Sequence, residues 1–217
     1  MNEPPFSTIV VVGAGLIGAS VAQASRRAWP TVGVTTLDAG DDLGRVRDAT
    51  LVVLAAPVRA NIALLDKIQP HLSPDAIVTD TGSTKRAICA AAAENPAFVG
   101  GHPMAGAAKG GAANARADLF DGKPWILTPR SVNPGAAVAQ VEAFVTGLGA
   151  VPHVMTPDLH DRLVGAVSHL PQLTASALMH VVGSLAGDAG LEVAGAGLVD
   201  STRLAASPAD IFPRIRS

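Results

Sequence analysis

The fold of this 217-residue chain is decided by the stretch Ile9-Val10-Val11-Val12-Gly13-Ala14-Gly15-Leu16-Ile17-Gly18. An apolar run with the composition of a buried strand ends at the first glycine, and an Ala-rich segment predicts a helix over 16–28. A G-x-G-x-x-G run between strand and helix permits a tight turn, close approach of a pyrophosphate and close packing of the helix on the strand. The stretch therefore predicts a dinucleotide site made by Gly13, Gly15, Leu16, Ile17 and Gly18.

An acidic residue follows at the spacing that such a site requires. Asp38 comes 20 residues after Gly18, directly behind Val34-Thr35-Thr36-Leu37. A carboxylate there binds the ribose hydroxyls and favours NAD, although NADP remains possible. If the second strand instead ends near Thr35, Asp38 is an ordinary loop residue. The segment 39–50 is barely long enough for a crossover, so its helix is expected to shrink to one or two turns.

The pattern around this stretch predicts an α/β protein. Short apolar runs alternate with longer Ala-rich segments as far as residue 155, which indicates a Rossmann-type doubly wound parallel sheet over 1–155. Residues 156–217 are predicted to form a shortened all-helical domain, broken or kinked at Pro171, with a last helix start at Ser207-Pro208. The predicted strands are Thr8–Val12, Val32–Leu37, Leu51–Ala55, Ile77–Thr81, Phe98–Gly100, Trp125–Thr128 and Pro152–Met155. The predicted helices of the first domain are Leu16–Ala28, Val58–Ile68, Thr84–Glu94 and Pro134–Thr146.

Composition excludes several classes of partner. Hydrophobic residues make up 48% of the chain, charged residues 16%, and the net charge is −2, without a basic stripe. We therefore predict a globular protein that binds a small-molecule substrate and neither nucleic acid nor membrane. No metal site is predicted. The single cysteine, Cys89, is expected to be a buried thiol, which fits a reducing cytoplasm.

Four later motifs narrow the function. They are Asp80-Thr81-Gly82-Ser83-Thr84-Lys85, Gly100-Gly101-His102-Pro103-Met104-Ala105-Gly106, Val167-Ser168-His169-Leu170-Pro171 and Asp200-Ser201-Thr202-Arg203-Leu204-Ala205. In this order, and together with the glycine loop, they resemble the prephenate dehydrogenase family of tyrosine biosynthesis. The resemblance covers essentially the whole chain.

That resemblance implies a reaction and an assembly. The family's enzymes use NAD to oxidise a cyclohexadienol ring hydroxyl, and the ring carboxylate leaves as CO2, so that prephenate gives 4-hydroxyphenylpyruvate. Arogenate and an amino-deoxy analogue of prephenate are the alternative substrates. The helical domain is expected to build a homodimer. An alternative from another class is that the chain is a non-catalytic dinucleotide-binding protein.

The resemblance also assigns the site residues. His102 matches the catalytic histidine, and its place after a strand suits a general base at the ligand-binding edge of the sheet. Ser83 matches the serine that hydrogen-bonds near the substrate hydroxyl, with a helix N-cap as the alternative reading. Arg203 matches the arginine that holds a substrate carboxylate; otherwise it is a surface charge. His169 and Gln172 complete the substrate-binding set.

Some residues are interpreted as structural, and some depart from the family's pattern. Lys85 is expected to be a solvated helix residue, and His160 a surface or packing residue, like His71, His153 and His180. The family often has a histidine where Gln172 stands, and a Thr-Glu pair where Ala107-Ala108 stands. A β-hydroxyacid dehydrogenase would share the fold, but its lysine base has no counterpart in Leu163–Leu178.

Overall fold

The protein, described by a computed structural model over residues 3–107 and 109–206, is built on a seven-stranded sheet of order β2-β1-β3-β4-β5-β6-β7. Every predicted strand is present, with ends shifted by at most a few residues, so the predicted α/β fold is confirmed. The strands are β1 Thr8–Val12, β2 Gly33–Leu37, β3 Leu51–Leu54, β4 Ile77–Asp80, β5 Phe98–Pro103, β6 Pro124–Thr128 and β7 Val151–Val154.

The direction of the last two strands corrects the expectation of a fully parallel sheet. β1 to β5 pair in parallel, whereas β6 pairs antiparallel with β5 through Gly100↔Thr128 and His102↔Ile126. β7 is parallel to β6. Between β5 and β6, the residues that the structure describes contain one 3₁₀ turn, Ala112–Asn114, and no longer helix that could carry the chain back across the sheet. Without a crossover helix the next strand returns in the opposite direction.

Helices cover both faces of the sheet. Alternate residues of β1 belong to two separate apolar cores, Ile9 and Val11 to one, Val10 and Val12 to the other. This alternation explains why the central strands β1 and β3 are continuously hydrophobic, since neither of their faces meets water, whereas β2 and β7 at the two edges of the sheet are partly exposed. The covering helices are α1 Leu16–Ala28, α2 Val58–Ile68, α3 Arg86–Ala91 and α4 Gly135–Gly147.

The connection between β2 and β3 is as short as the sequence indicated. Its helical part is one 3₁₀ turn, Leu43–Val46. The Asp42 carboxylate accepts a hydrogen bond from the Gly44 amide at 2.8 Å and caps this turn. Val46 is buried in the core beneath it. One turn therefore anchors the crossover where related folds use a longer helix.

The chain divides into two compact units that meet in sequence between His160 and Asp161. That point lies inside α5, Pro157–Val164, whose first turn is capped by Thr156 Oγ1 accepting from the Leu159 amide. The predicted domain boundary after residue 155 stands just before this helix.

The described part of the second unit is mostly helical, apart from residues 193–195 and the non-helical backbone of Gly187 inside α6. It contains the end of α5, a π-helical turn Gly165–His169, α6 Leu170–Glu192 and α7 Ala196–Thr202. Pro171 has no amide hydrogen to donate to the carbonyl four residues earlier. The helix is not broken there; a wider π-helical turn precedes the proline instead. The predicted helix start at Ser207-Pro208 lies outside the described residues. Within those residues, no helix combines the length and apolar character needed to cross a lipid bilayer.

Candidate active site

The predicted site residues of the first unit lie at one edge of the sheet. Gly13 directly follows β1 and Asp38 directly follows β2, while Ser83 lies in the turn after β4 and His102 near the end of β5. These strands are parallel, so their carboxyl ends share an edge. The strand order reverses between β1 and β3, and open α/β sheets bind ligands at such a switch point.

The glycine loop has the shape that a pyrophosphate requires. Gly13 has φ of 111°, a left-handed conformation, and a Cβ there would lie 2.7 Å from the Ala55 carbonyl carbon. A Cβ on Gly18 would collide with the Gly13 carbonyl oxygen. By contrast, nothing lies within 4 Å of a Cβ position on Gly15, at the N-terminus of α1. The loop is thus tight where it packs and open where phosphates would approach the helix amides.

Asp38 stands at the expected place beside the loop. β2 runs to Leu37, which pairs with Val12, so the strand does not end near Thr35. The Asp38 side chain is exposed, and its backbone amide donates to Asp41 Oδ2 at 2.7 Å. A carboxylate at this position can receive hydrogen bonds from ribose hydroxyls.

The structure brings a second histidine to His102. Nδ1 of His102 lies 2.9 Å from Nε2 of His160, and the two rings meet edge to face with centroids 5.1 Å apart. His160 is fully buried in α5, whereas His102 is only partly buried. Of the two interpretations predicted for His160, surface or packing, the surface one is wrong, and the contact with His102 was not predicted. Its only signal in the sequence was its position in the helix that follows the last strand.

Lys85 corrects a second expectation. Its side chain is completely buried, and its ammonium group lies 2.6 Å from Asp80 Oδ1, 2.5 Å from Asp80 Oδ2 and 2.6 Å from the Gly101 carbonyl oxygen. The sequence showed only a lysine at the start of a predicted helix. Its burial depends on an acid five residues earlier and on a carbonyl from the next strand, which no local pattern reveals.

Ser83 is not a helix N-cap. α3 begins at Arg86, with Lys85 at the cap position, and Ser83 lies in a bend between β4 and the helix. The predicted helix Thr84–Glu94 is therefore shorter at both ends. The amide of Gly82 donates to Asp80 Oδ2 at 2.8 Å and holds this bend against the end of β4. Ser83 remains at the same sheet edge as His102.

The three remaining candidates lie in the helical unit. His169 is the last residue of the π turn and is partly buried. Gln172 is buried in the first turn of α6, and its Nε2 donates to the Leu204 carbonyl oxygen at 2.7 Å. Arg203 begins a short 3₁₀ turn and is exposed. One hydrogen bond of Gln172 is thus used inside this unit, between α6 and the segment that carries Arg203.

Cys89 and Arg130 lie near the site but serve packing. Burial raises the pKa of the Cys89 thiol, so it stays protonated and apolar, as expected. Burial lowers the pKa of Arg130, whose guanidinium donates to carbonyl oxygens around the end of α3, Ala92 among them, and to that of Phe98 at the start of β5. Among the described residues, no three His, Cys, Asp or Glu side chains cluster as metal ligands.

The fold and this edge define the chain as a dinucleotide-binding α/β protein, and comparison with known proteins gives the family. The model for the prephenate dehydrogenase nucleotide-binding domain matches residues 12–154, and that for the dimerization domain of the same family matches residues 156–216. The chain belongs to the prephenate dehydrogenase family.

Individual relatives agree with this assignment. The chain is 31% identical to prephenate dehydrogenase of Bacillus subtilis over 196 residues, which are 80% of this chain and 53% of that protein. It is 32% identical to cyclohexadienyl dehydrogenase of Zymomonas mobilis over 198 residues, which are 82% of this chain and 68% of that one. The chain thus spans only 53% to 68% of the length of these two curated relatives.

Solved structures share the fold closely. Prephenate dehydrogenase from A. aeolicus, in complex with hydroxyphenyl propionate and NAD+, superposes with a TM-score of 0.89 at 28% identity, covering 99% of this chain and 82% of that one. Synechocystis arogenate dehydrogenase gives a TM-score of 0.83 at 32% identity, with 96% and 82% covered. The two names differ in substrate, so the likeness leaves the side chain of the substrate open.

Proposed function

We propose that this chain carries out the NAD-dependent oxidative decarboxylation of a cyclohexadienol, with prephenate as substrate and 4-hydroxyphenylpyruvate as product. One observation carries the proposal. His102 stands at the ligand-binding edge of the sheet, with its Nδ1 engaged by the buried His160. A general base is expected to be a histidine that a second side chain holds in one orientation in this way.

NAD fits the residues that would hold it. The amides at the start of α1, on Leu16, Ile17 and Gly18, would face the pyrophosphate, and the open space at Gly15 would admit it. Asp38 would bind the ribose hydroxyls and disfavour the 2′-phosphate of NADP. When bound, NAD supplies the acceptor for the hydride. The relative from A. aeolicus was solved with NAD+.

The protein's part in the chemistry falls on Nε2 of His102. A base acting there needs the tautomer with its hydrogen on Nδ1, which then donates to Nε2 of His160. As the substrate's C–H hydride leaves, Nε2 takes the proton of the ring hydroxyl. The ring carboxylate then leaves as CO2, its bonding electrons make the ring aromatic, and the imidazolium returns the proton to the phenolate oxygen. His160 stabilises the imidazolium that forms, because it accepts a hydrogen bond from the charged ring.

The remaining site residues bind substrate in this proposal. Ser83 would hydrogen-bond the substrate near its hydroxyl, and the guanidinium of Arg203 would hold a substrate carboxylate in a bidentate fashion. His169 and Gln172 are the other two residues to which we assign substrate binding. Gln172 is neutral and offers both an acceptor and a donor, so arogenate, with an ammonium group on its side chain, is the second candidate substrate.

We also propose that the protein acts as a homodimer. α6 exposes Leu170, Leu178, Val181 and Leu185, with exposed fractions of 60%, 38%, 50% and 84%. At 3.6 residues per turn these four side chains fall within an arc of about 80° on one face of the helix. The match of residues 156–216 to a dimerization domain supports a second copy of this chain as the partner of that face.

A turnover assay tests the proposed function. The protein would be given prephenate, arogenate or the amino-deoxy analogue, each with NAD and with NADP, and the absorbance of the reduced nicotinamide would be followed. We expect turnover with NAD and prephenate or arogenate, and little with NADP. Binding of NAD without turnover on any of the three substrates would instead make this chain a non-catalytic dinucleotide-binding protein.

We also infer a cytoplasmic location, which the single buried Cys89 supports.

A further inference from the structure

A buried ion pair is bonded to the residue that precedes the proposed base, His102. Lys85 and Asp80 are both fully buried, and the ammonium group contacts both carboxylate oxygens. The pair lies in the first unit, between the end of β4 and the strand that carries His102. Replacing a buried ion pair by apolar residues of similar volume is often neutral or stabilising, so stability alone gives weak reason for its presence.

The pair holds both backbone groups of Gly101, the residue before His102. The Gly101 amide donates to Asp80 Oδ1 at 3.0 Å, and its carbonyl accepts from Lys85 Nζ at 2.6 Å. β4 and β5 pair only through Val78↔Phe98 and Thr79↔Val99, because β4 ends at Asp80. The two hydrogen-bonding groups of one strand residue face the same neighbour. The carboxylate and the ammonium therefore replace the strand that is missing beside Gly101.

The same carboxylate also holds the turn that carries Ser83. Asp80 Oδ2 accepts from the Gly82 amide at 2.8 Å. One ion pair is thus bonded to the residue before His102 and to the residue before Ser83. Both side chains are proposed members of the active site, and their separation depends on these bonds.

β5 has no room for a side chain at its two glycines. A Cβ on Gly100 would collide with Thr128 Oγ1 on β6, whereas Lys85 Cδ would lie 3.5 Å away in ordinary contact. A Cβ on Gly101 would lie 2.6 Å from the Asp80 carbonyl oxygen. The glycine pair before His102 therefore lets β5 pack closely against Thr128 of β6 and against the backbone of Asp80, beside the ion pair.

We propose that Asp80 and Lys85 are positioning residues, which fix the Gly101 peptide and the Ser83 turn and thereby hold His102 and Ser83 in their reactive arrangement. This inference rests on the proposed function for its kinetic consequence, and on the geometry alone for its structural one. Neither residue is assigned a contact with substrate or cofactor. Their effect is expected on kcat, because a displacement of about 1 Å in a reacting group costs roughly 100-fold in rate.

Lys85→Met tests this proposal, with Arg130→Met as a matched control. Arg130 is a partly buried cation that also bonds carbonyls of α3 and β5, but at the Phe98 end of the strand. We expect Lys85→Met to lower kcat by roughly 10- to 100-fold, with KM for the substrate and Kd for NAD within about threefold of wild type. Arg130→Met should lose stability in urea while keeping kcat.

Two further measurements keep the test decisive. If Lys85→Met does not fold because it leaves the Asp80 carboxylate uncompensated, the double variant Asp80→Asn with Lys85→Met removes both charges and should still show the reduced kcat. Amide hydrogen exchange should be at least about tenfold faster at Gly101 in the Lys85 variant, with Val99 unchanged, and Arg130→Met should not affect Gly101.

The outcomes separate this inference from the proposed function. Inactive wild-type protein would overturn the proposed function, and the exchange rate at Gly101 would then decide on the positioning role by itself. Active wild type, with wild-type kcat in the folded Lys85 variants, would overturn the positioning role alone. An equal loss of kcat in Arg130→Met would overturn it as well, because general destabilisation would then explain the effect.

Discussion

Catalysis in the proposed reaction depends on the imidazole of His102, and its removal is the most direct prediction at the scale of the residue. His102→Asn should lower kcat by about 10²- to 10⁴-fold, the usual contribution of a positioned acid–base group, with KM little changed. His71→Asn is the matched control, because His71 lies in a short turn after α2, before β4 begins. Steady-state kinetics with wild-type-like turnover in the His102 variant would refute its role.

His160 should act only through His102. His160→Ala removes the hydrogen bond at Nδ1, and we expect kcat to fall by roughly tenfold, since one such bond is worth about 1 kcal/mol or slightly more. The double variant with His102→Asn should be no slower than His102→Asn alone, because residues that act as a unit are not additive. Multiplied losses in the double variant would mean that His160 has an independent role.

These residues show which parts of the candidate site could be predicted from the sequence alone. The positions of His102 and of the glycines at the sheet edge were predictable, because each belongs to a short motif that follows a strand. The burial of Lys85 and the contact of His160 with His102 were not predicted, because both environments include residues of β5 that are distant in the sequence. A lysine in isolation looks solvated, and only the acid and carbonyl around it reveal why it is buried.

At the scale of the element, β5 depends on its two glycines. Gly101→Ala would place a methyl group 2.6 Å from the Asp80 carbonyl oxygen, and we expect a loss of about 1–3 kcal/mol in the free energy of unfolding. Gly33→Ala on β2 is the control, since its nearest neighbour, Thr8 Cγ2, lies 3.9 Å away in ordinary contact. Urea titrations should separate the two variants, and equal stability would show that β5 can shift to accept the methyl group.

The end of β2 sets the preference between NAD and NADP. Asp38→Asn should reduce the kcat/KM ratio of NAD to NADP by about tenfold, because the loss of the charge removes repulsion of the 2′-phosphate. Asp48→Asn removes an exposed carboxylate from the same connection and should leave the ratio unchanged. A wild type that already prefers NADP would contradict the assigned role of Asp38.

The sequence predicted the individual strands and helices better than the direction in which neighbouring strands run. All seven strands and the four sheet helices followed from apolar runs and Ala-rich segments, because burial on two faces leaves a local pattern. The direction of β6 did not follow, since it depends on a long connection whose described residues form no crossover helix. The π turn before Pro171 was expected only as a kink, because a proline predicts a disturbed helix without specifying the form.

For the whole molecule, the exposed face of α6 has the largest consequence. Leu170, Leu178, Val181 and Leu185 would each leave water if two copies packed through this face. Their burial would contribute about 25 cal/mol for each Å² of apolar surface removed from water, from both copies. In a two-fold symmetric interface every side chain occurs twice, so one substitution acts twice on the dimer.

Val181→Asp should therefore convert the dimer to single chains. We expect the dissociation constant to rise by at least about 100-fold, because two carboxylates would have to be buried without compensating charges. Val132→Asp is the control, since Val132 is 56% exposed but precedes α4 in the first unit. Light scattering after size exclusion should give two chains for the wild type and this control, and one for Val181→Asp. A Val181→Asp variant that remains dimeric would place the interface elsewhere, and a monomeric wild type would refute the proposed homodimer.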